Sequence, residues 1–308
     1  MRISDLLNIG EIRPLLAFVA LFLISSFLSP YFFTQTNVSI LMGMMTVTAF
    51  AALGGGLVIL SGGIDLSVGS QIGLACVLTA SLLQFYNFSV EMVFFTVISV
   101  IMFVGFMNGI VITKWKIPAF IVTFATMTIV RGVIYLYAPQ NIPIYNPFFE
   151  SLGGNIGIFP IIFIIFGGVA FIFFILTKYT KLGLYASAIG GNETATRNLG
   201  MEVDGIKVLV YSLASFTFAI AGIMLAVRTQ SSYPLAGSGM ELDAICSAVV
   251  GGYSLSGGEG TVIGAIAGAA LLSVILNVMV LLNISSFWQW VVKGVIVIGA
   301  ATVYRGRK

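Results

Sequence analysis

The chain has 308 residues, of which 59% are apolar, 8% are charged and none is histidine, with a formal net charge of +3. Soluble domains carry roughly 25% charged residues, so a mean hydropathy of +1.09 excludes that class and makes this an integral membrane chain. The absence of histidine removes Ser-His-Asp and Cys-His catalysis, histidine-ligated zinc and the usual neutral-pH proton shuttle.

Arg2 and Arg13 precede the first apolar run, 14–33, which is expected to stay attached as a first span because no small-residue cleavage site follows it. Further runs lie at 38–60, 66–85, 90–113, 117–138, 158–177, 207–228, 240–257, 260–282 and 286–304, divided by Gly, Pro, Asn and Ser. A helix needs about 20 apolar residues to cross the hydrocarbon. The expected fold class is therefore all-α, with about ten transmembrane helices in one transmembrane domain over 1–308 and a possible internal repeat. A barrel is excluded because its strands alternate apolar and polar residues. The eighth run is the shortest, with 244–257 free of charge; it is counted as a crossing because the basic tail Arg305-Gly306-Arg307-Lys308 then ends inside.

Orientation follows the basic residues. With an inside N-terminus, the ends and inner loops hold Arg2, Arg13, Lys114, Lys116, Lys178, Lys181, Arg197, Lys207, Arg305, Arg307 and Lys308, so both termini are expected in the cytoplasm. This placement explains the positive charge through lipid topology, and no nucleic-acid partner is expected. Residues 139–157 lack basic residues and fall outside. Residues 178–206 form the most polar segment, fall inside, and are long enough to fold into short helices of their own. Cys76 and Cys246 stand apart in apolar stretches, with neither disulfide nor metal spacing.

The most informative segment is Ser61-Gly62-Gly63-Ile64-Asp65-Leu66-Ser67-Val68-Gly69-Ser70, between the second and third runs. A carboxylate there must meet water, a dipole or a partner. Asp65 either caps the third helix or lines the pathway. Gly251-Gly252-Tyr253-Ser254-Leu255-Ser256-Gly257 echoes its GG-x-x-LS-x-G pattern, with Ser254 in place of Asp65. That echo reads either as an internal repeat whose interrupted helices flank a pathway or as two similar connections. Arg131 and Lys293, both inside runs, either snorkel to a surface or face a hydrophilic cavity. Asn108, between Gly105 and Gly109, points to close helix packing. The tryptophans and phenylalanines are assigned to packing and lipid.

At these residues the chain resembles the ten-span permease subunits of bacterial ATP-binding cassette importers for simple sugars, the ribose-type family. The resemblance is carried by Phe32-Phe33-Thr34 with Asn37, the 61–70 segment, Asn108-Gly109, Lys116-Ile117-Pro118-Ala119-Phe120-Ile121-Val122-Thr123, and Arg131-Gly132. It continues through Gly190-Gly191-Asn192-Glu193-Thr194-Ala195-Thr196-Arg197 with Gly200, and Gly239-Met240-Glu241-Leu242-Asp243 running into Gly251-Gly252. It implies that the permease pairs with itself or a homologous sister, that separate ATPase subunits drive it, and that an extracytoplasmic sugar-binding protein loads it. Family-motif and pathway candidates are Gly62, Gly63, Asp65, Ser67, Gly69, Asn108, Phe120, Thr123, Arg131, Glu241, Asp243, Gly251, Gly252 and Ser254. Gly190, Gly191, Asn192, Glu193, Ala195, Arg197 and Gly200 are expected to form the surface that seats in the ATPase.

No metal, cofactor or catalytic group is expected in this chain. The phosphate-cradling GxxxxGK[ST] pattern is absent, so if ATP is involved another subunit supplies its site. The alternative is an ion-coupled secondary transporter of a small polar solute, which needs a carboxylate near the membrane midplane. A passive channel lacks a recognisable filter or charged ring.

Overall fold

The structure is a computed structural model that describes residues 9–305, and side chains over 14–299. Arg2, Arg307 and Lys308 lie outside the described residues, as do the side chains of Arg13 and Arg305. The expected placement of the termini therefore falls beyond them.

Each of the ten apolar runs contains one helix: α1 (Ile9–Leu28), α2 (Gln35–Leu60), α3 (Val68–Gln84), α4 (Val90–Lys114), α5 (Ala119–Tyr137), α7 (Ile161–Tyr179), α10 (Val203–Thr229), α11 (Met240–Val250), α12 (Val262–Leu281) and α13 (Ser286–Arg305). Short helices α6 (Pro147–Leu152), α8 (Lys181–Gly191) and α9 (Glu193–Asn198) occupy the two long connections. Two-residue strands complete the fold: β1 (Ile142–Pro143), β2 (Asn155–Ile156), β3 (Phe159–Pro160) and β4 (Ser231–Ser232). Strand β1 pairs antiparallel with β4, and β2 with β3. Among the described residues six helices, α2, α4, α5, α7, α10 and α12, are long and apolar enough to cross a membrane.

The eighth run departs from expectation. Its helix α11 has 11 residues, about 16 Å at 1.5 Å per residue, roughly half the hydrocarbon thickness. Gly252 adopts φ of 102°, a conformation that L side chains avoid, and residues 251–261 continue as irregular turns. The polar connection is also shorter than 178–206, because α7 runs to Tyr179 and α10 begins at Val203.

Helices α2, α10 and α12 are buried along most of their length, whereas α4, α5 and α7 bury one stripe each. Helix α2 crosses α10 at Gly54, where a Cβ would collide with Thr217, Phe218 and the Ala214 carbonyl. Backbone-level approach of this kind supplies the dispersion contacts that hold helices together in lipid. Asn37 of α2 and Asn277 of α12 exchange amide hydrogen bonds at 3.1 and 2.9 Å, and Asn37 also donates to the Phe32 carbonyl at 2.9 Å.

Two four-helix groups repeat one neighbour pattern. Helix α3 packs on α4, α5 and α10, while α11 packs on α12, α13 and α2. The groups α2–α5 and α10–α13 run in opposite directions, because α2 ends beside α8 and α10 starts from α9. This is the neighbour pattern that an inverted-topology repeat would have. The GG-x-x-LS-x-G echo does not mark it: 61–67 joins the first and second helices of one group, whereas 251–261 joins the second and third of the other. The counterpart of 61–67 is 230–239.

Replacing Asn277 by leucine strands a buried amide at position 37. The expected cost is about 1–3 kcal/mol, read as a lower unfolding temperature in detergent. The Asn37→Leu/Asn277→Leu double variant is expected to recover part of that loss.

Candidate functional site

The turn after α2 begins with Gly62 at φ of 80°, and its N–H donates to the Ile59 carbonyl at 2.9 Å. Asp65 is buried, and its Oδ1 accepts the Ser67 backbone N–H at 2.8 Å and the Ser67 hydroxyl at 2.5 Å. Asp65 thus caps the turn ahead of α3; the residue at the helix N-cap itself is Ser67. Ser67 is the hub of a buried network. Its Oγ accepts from Gln71 Nε2 at 2.7 Å and from Asn108 Nδ2 at 3.3 Å. Gln71 Oε1 accepts from Ser215 at 2.6 Å, and Asn108 Oδ1 accepts from Thr126 at 2.6 Å. Thr123 closes the loop from α5: its Oγ1 accepts the Leu66 N–H at 3.1 Å, and its one proton lies between the Ala119 carbonyl at 2.9 Å and the Ile64 carbonyl at 3.2 Å. Asn108 therefore belongs to this network, while its neighbours Gly105 and Gly109 let α4 approach the backbone of α10 at Tyr211 and Val208.

The second glycine segment reproduces the local turn: Ser254 Oγ accepts the Ser256 N–H at 3.3 Å, as Asp65 Oδ1 accepts that of Ser67. Its neighbourhood differs. The Gly258 N–H donates to the Leu60 carbonyl at 3.0 Å, ending α2, and the Gly258 carbonyl accepts from Ser187 of α8 at 2.5 Å. A Cβ on Gly190 would strike the Leu60 carbonyl and stand 2.5 Å from the Gly258 nitrogen, and one on Gly62 would stand 3.3 Å from Gly190 Cα. Both glycine motifs and the end of α8 therefore meet backbone to backbone. Gly251 and Gly252 lie just above this seat, where Gly251 packs on the Gly264 carbonyl of α12.

Beyond the seat, Asn192 caps α9 by accepting the Ala195 N–H at 2.9 Å. Arg197 bridges Glu193 at 3.3 Å and Asp204 at 2.6 Å, and Lys207 reaches Glu193 at 2.5 Å. Burial pushes the Glu193 carboxyl up, but Lys207 and Arg197 together hold it below its ordinary range. Arg197 also holds Asp204 down. Gly191, Asn192, Ala195, Arg197, Leu199 and Gly200 stay exposed on the outer edge. A cavity of about 490 Å³ lies between this mesh and the α2 turn, lined by Ser61, Gly62, Gly63, Lys116, Lys207 and Tyr211 among others.

The remaining candidates lie on α5, α11 and α13. Phe120 is 56% exposed on α5. Arg131 Nη1 donates to the Ala236 and Pro234 carbonyls at 2.8 and 3.3 Å, so it grips the 230–239 loop rather than only snorkelling. The Glu241 carboxylate rests on Gly69 of α3, where a Cβ would collide with it. Asp243 pairs with Lys293 of α13 at 2.5 Å, both nearly buried. The sequence pattern singled out both ends of that pair without linking them.

Residues 37–301 match the model of a family described as branched-chain amino acid transport system / permease component. The chain belongs to this family. It is 37% identical to the ribose import permease protein RbsC of Haemophilus influenzae, over 97% of this chain and 94% of that one. The RbsC of Bacillus subtilis is 38% identical over 96% and 92% of the two chains. The autoinducer 2 import system permease protein LsrC of Escherichia coli strain HS is 32% identical over 97% and 88%. No solved structure matches the chain. The chain is a multi-pass membrane permease component.

Removing one member of a buried ion pair costs about 3–5 kcal/mol, more than removing both. Lys293→Met is therefore expected to unfold at lower temperature than the Asp243→Asn/Lys293→Met double variant, measured side by side in one detergent. In the Glu193–Arg197–Asp204–Lys207 mesh the sign with pH follows from the depressed carboxylates. Their stabilising contribution is complete above the unfolded values near 4 and is lost as pH falls through the folded values. The stability deficit of Glu193→Gln/Asp204→Asn relative to wild type is expected to stay constant between about pH 6 and 8 and to close below about pH 4. A deficit that widens on acidification contradicts the assignment.

Proposed function

We propose that this chain is the membrane subunit of an ATP-binding cassette importer that carries a ribose-like simple sugar across the bacterial cytoplasmic membrane. Residues 1–308 form one permease domain with ten crossings, cytoplasmic termini and lipid around its outer helices. Helix α11 and the turns after it make the interrupted crossing. The subunit works beside a second copy or a homologous sister, separate ATPase subunits hydrolyse ATP, and an extracytoplasmic sugar-binding protein delivers cargo. The chain itself has no nucleotide site and catalyses no covalent chemistry.

One observation carries this reading: α8 and α9 form a surface platform whose end is seated directly on the α2 turn and the 251–261 segment. Force applied to the exposed edge of such a platform reaches the spans without an intervening flexible side chain. Rigid-body transmission of nucleotide-driven motion needs a joint of this type. At the opposite end, residues 138–160 fold into α6 and a small hairpin. There, Tyr145, Asn146, Glu150 and Gln230 help line a cavity of about 480 Å³, which suits this end to contact with the delivery protein.

Gly191 has no atom within 4 Å of a Cβ built on it, so a side chain there alters the surface without disturbing the seat. Pull-down of the tagged chain from solubilised native membranes is expected to bring an ATPase subunit. Gly191→Arg is expected to lose it while keeping the wild-type unfolding profile, and Glu193→Lys to lose it with the lower stability that breaking the Lys207 and Arg197 pairs brings. A wild-type chain that comes down with no ATPase, under conditions that preserve complexes, overturns the importer reading in favour of an ion-coupled carrier.

A further inference from the structure

The repeated neighbour pattern aligns the starts of α5 and α13, and so pairs Thr123 with Trp290, each the fifth residue of its helix. Each leans on the loop that enters the neighbouring helix. Thr123 is buried and ties the 64–66 backbone through its hydroxyl. Trp290 instead lays its ring against Gly239, where a Cβ would stand 2.8 Å from Cη2, and leaves the ring 51% exposed. Gly239 is in the left-handed region at φ of 82°, so both its conformation and its missing side chain suit the ring above it.

Two charged groups flank that loop. Arg131 spends Nη1 on the Pro234 and Ala236 carbonyls; among the described residues its Nη2 and Nε have no acceptor. Glu241 is two residues past Gly239, only partly buried, and within electrostatic reach of Arg131 without an ion pair between them. One turn behind the ring, Lys293 is pinned to Asp243 and its Nζ lies 5.9 Å from the Trp290 ring centre. The ring is thereby held against α11. An aromatic face, a planar multi-donor and a carboxylate are the three groups that recognise a sugar: the ring covers its C–H face, and the charged groups hydrogen-bond its hydroxyls.

We infer that Trp290, Arg131 and Glu241 form a sugar-binding station around the 234–241 segment, beside the first turns of α3. The inference rests on the reading of the cargo as a simple sugar. Trp290 stacks on one face of the ring, Arg131 Nη2 and Nε donate to hydroxyl oxygens, and Glu241 accepts from hydroxyl protons. The contact is open on one side, which suits a cargo that must leave again.

The chain has three tryptophans, so Trp115→Phe/Trp288→Phe leaves Trp290 as the sole indole. In nanodiscs, D-ribose titrated to high millimolar concentration is expected to shift that emission saturably, with sorbitol as the osmotic control. Glu241→Gln in the same background is expected to weaken the apparent affinity about tenfold. In the complete transporter in vesicles, Trp290→Ala is expected to lower ribose uptake per ATP hydrolysed about tenfold, with assembly unchanged and Trp290→Phe close to wild type. Wild-type ribose uptake per ATP in Trp290→Ala, or an emission that sorbitol moves as far as ribose does, overturns the station. A wild-type transporter that moves none of a panel of pentoses and hexoses overturns the sugar reading, and the station with it.

Discussion

Hydrocarbon offers no hydrogen bonds, so every polar group that the fold places between its helices must find a partner inside the protein. This constraint explains the network around Ser67, although Asp65 Oδ2 and the hydroxyls of Tyr211, Ser232, Ser247 and Ser273 are buried without a hydrogen-bond partner. The 61–67 turn carries free backbone groups into the bundle, and Thr123 accepts the Leu66 N–H and shares its proton between the Ala119 and Ile64 carbonyls. Ser67 then joins α3 to α4 through Asn108, and through Gln71 to α10 at Ser215. A loop bonded to three helices moves only when they move. Asp65 is the charge at the centre of that arrangement, and its turn-capping role is inseparable from holding the loop in register.

Close backbone packing is the second requirement, since lipid tails are as apolar as leucine and give no hydrophobic drive for one helix to meet another. Association then depends on contact distance, which falls when Cβ atoms are absent. Gly54 serves this purpose in the core and Gly190 at the edge, where the Leu60 carbonyl and Gly258 nitrogen occupy the space of its missing side chain. The same device therefore builds the bundle and fastens the platform to it.

The positions of the helices were legible in the sequence because bilayer thickness sets the length of an apolar run, and each run contains one helix. The Asp65 turn was legible because a carboxylate among glycines has few uses in lipid. Helix α11 was overestimated because hydropathy continues through Tyr253 and Leu255, while the helix stops where Gly252 turns left-handed. Partners distant in the chain left no local signal: Asp243 and Lys293, Asn37 and Asn277, and Arg131 with the 234–236 carbonyls are joined only by the fold. Trp290 reads from sequence as an interfacial aromatic; only its position over Gly239 separates it from the other two tryptophans.

The short length of α11 has a mechanical consequence. Its first turn carries Glu241 and Asp243, the latter locked to α13, and its last residue leads directly into the segment that receives Gly190. About 16 Å of helix and the 251–257 turns thus connect the Glu241 end to the platform seat. A full-length span would put a membrane thickness between them. The helix has no internal hinge, so a shift of α8 that moves Gly258 reaches the Glu241 end to the extent that the glycine-rich turns 251–257, anchored where Gly251 packs on α12, carry it. The interruption that makes α11 too short to cross the membrane by itself is what lets it connect both ends of the working parts.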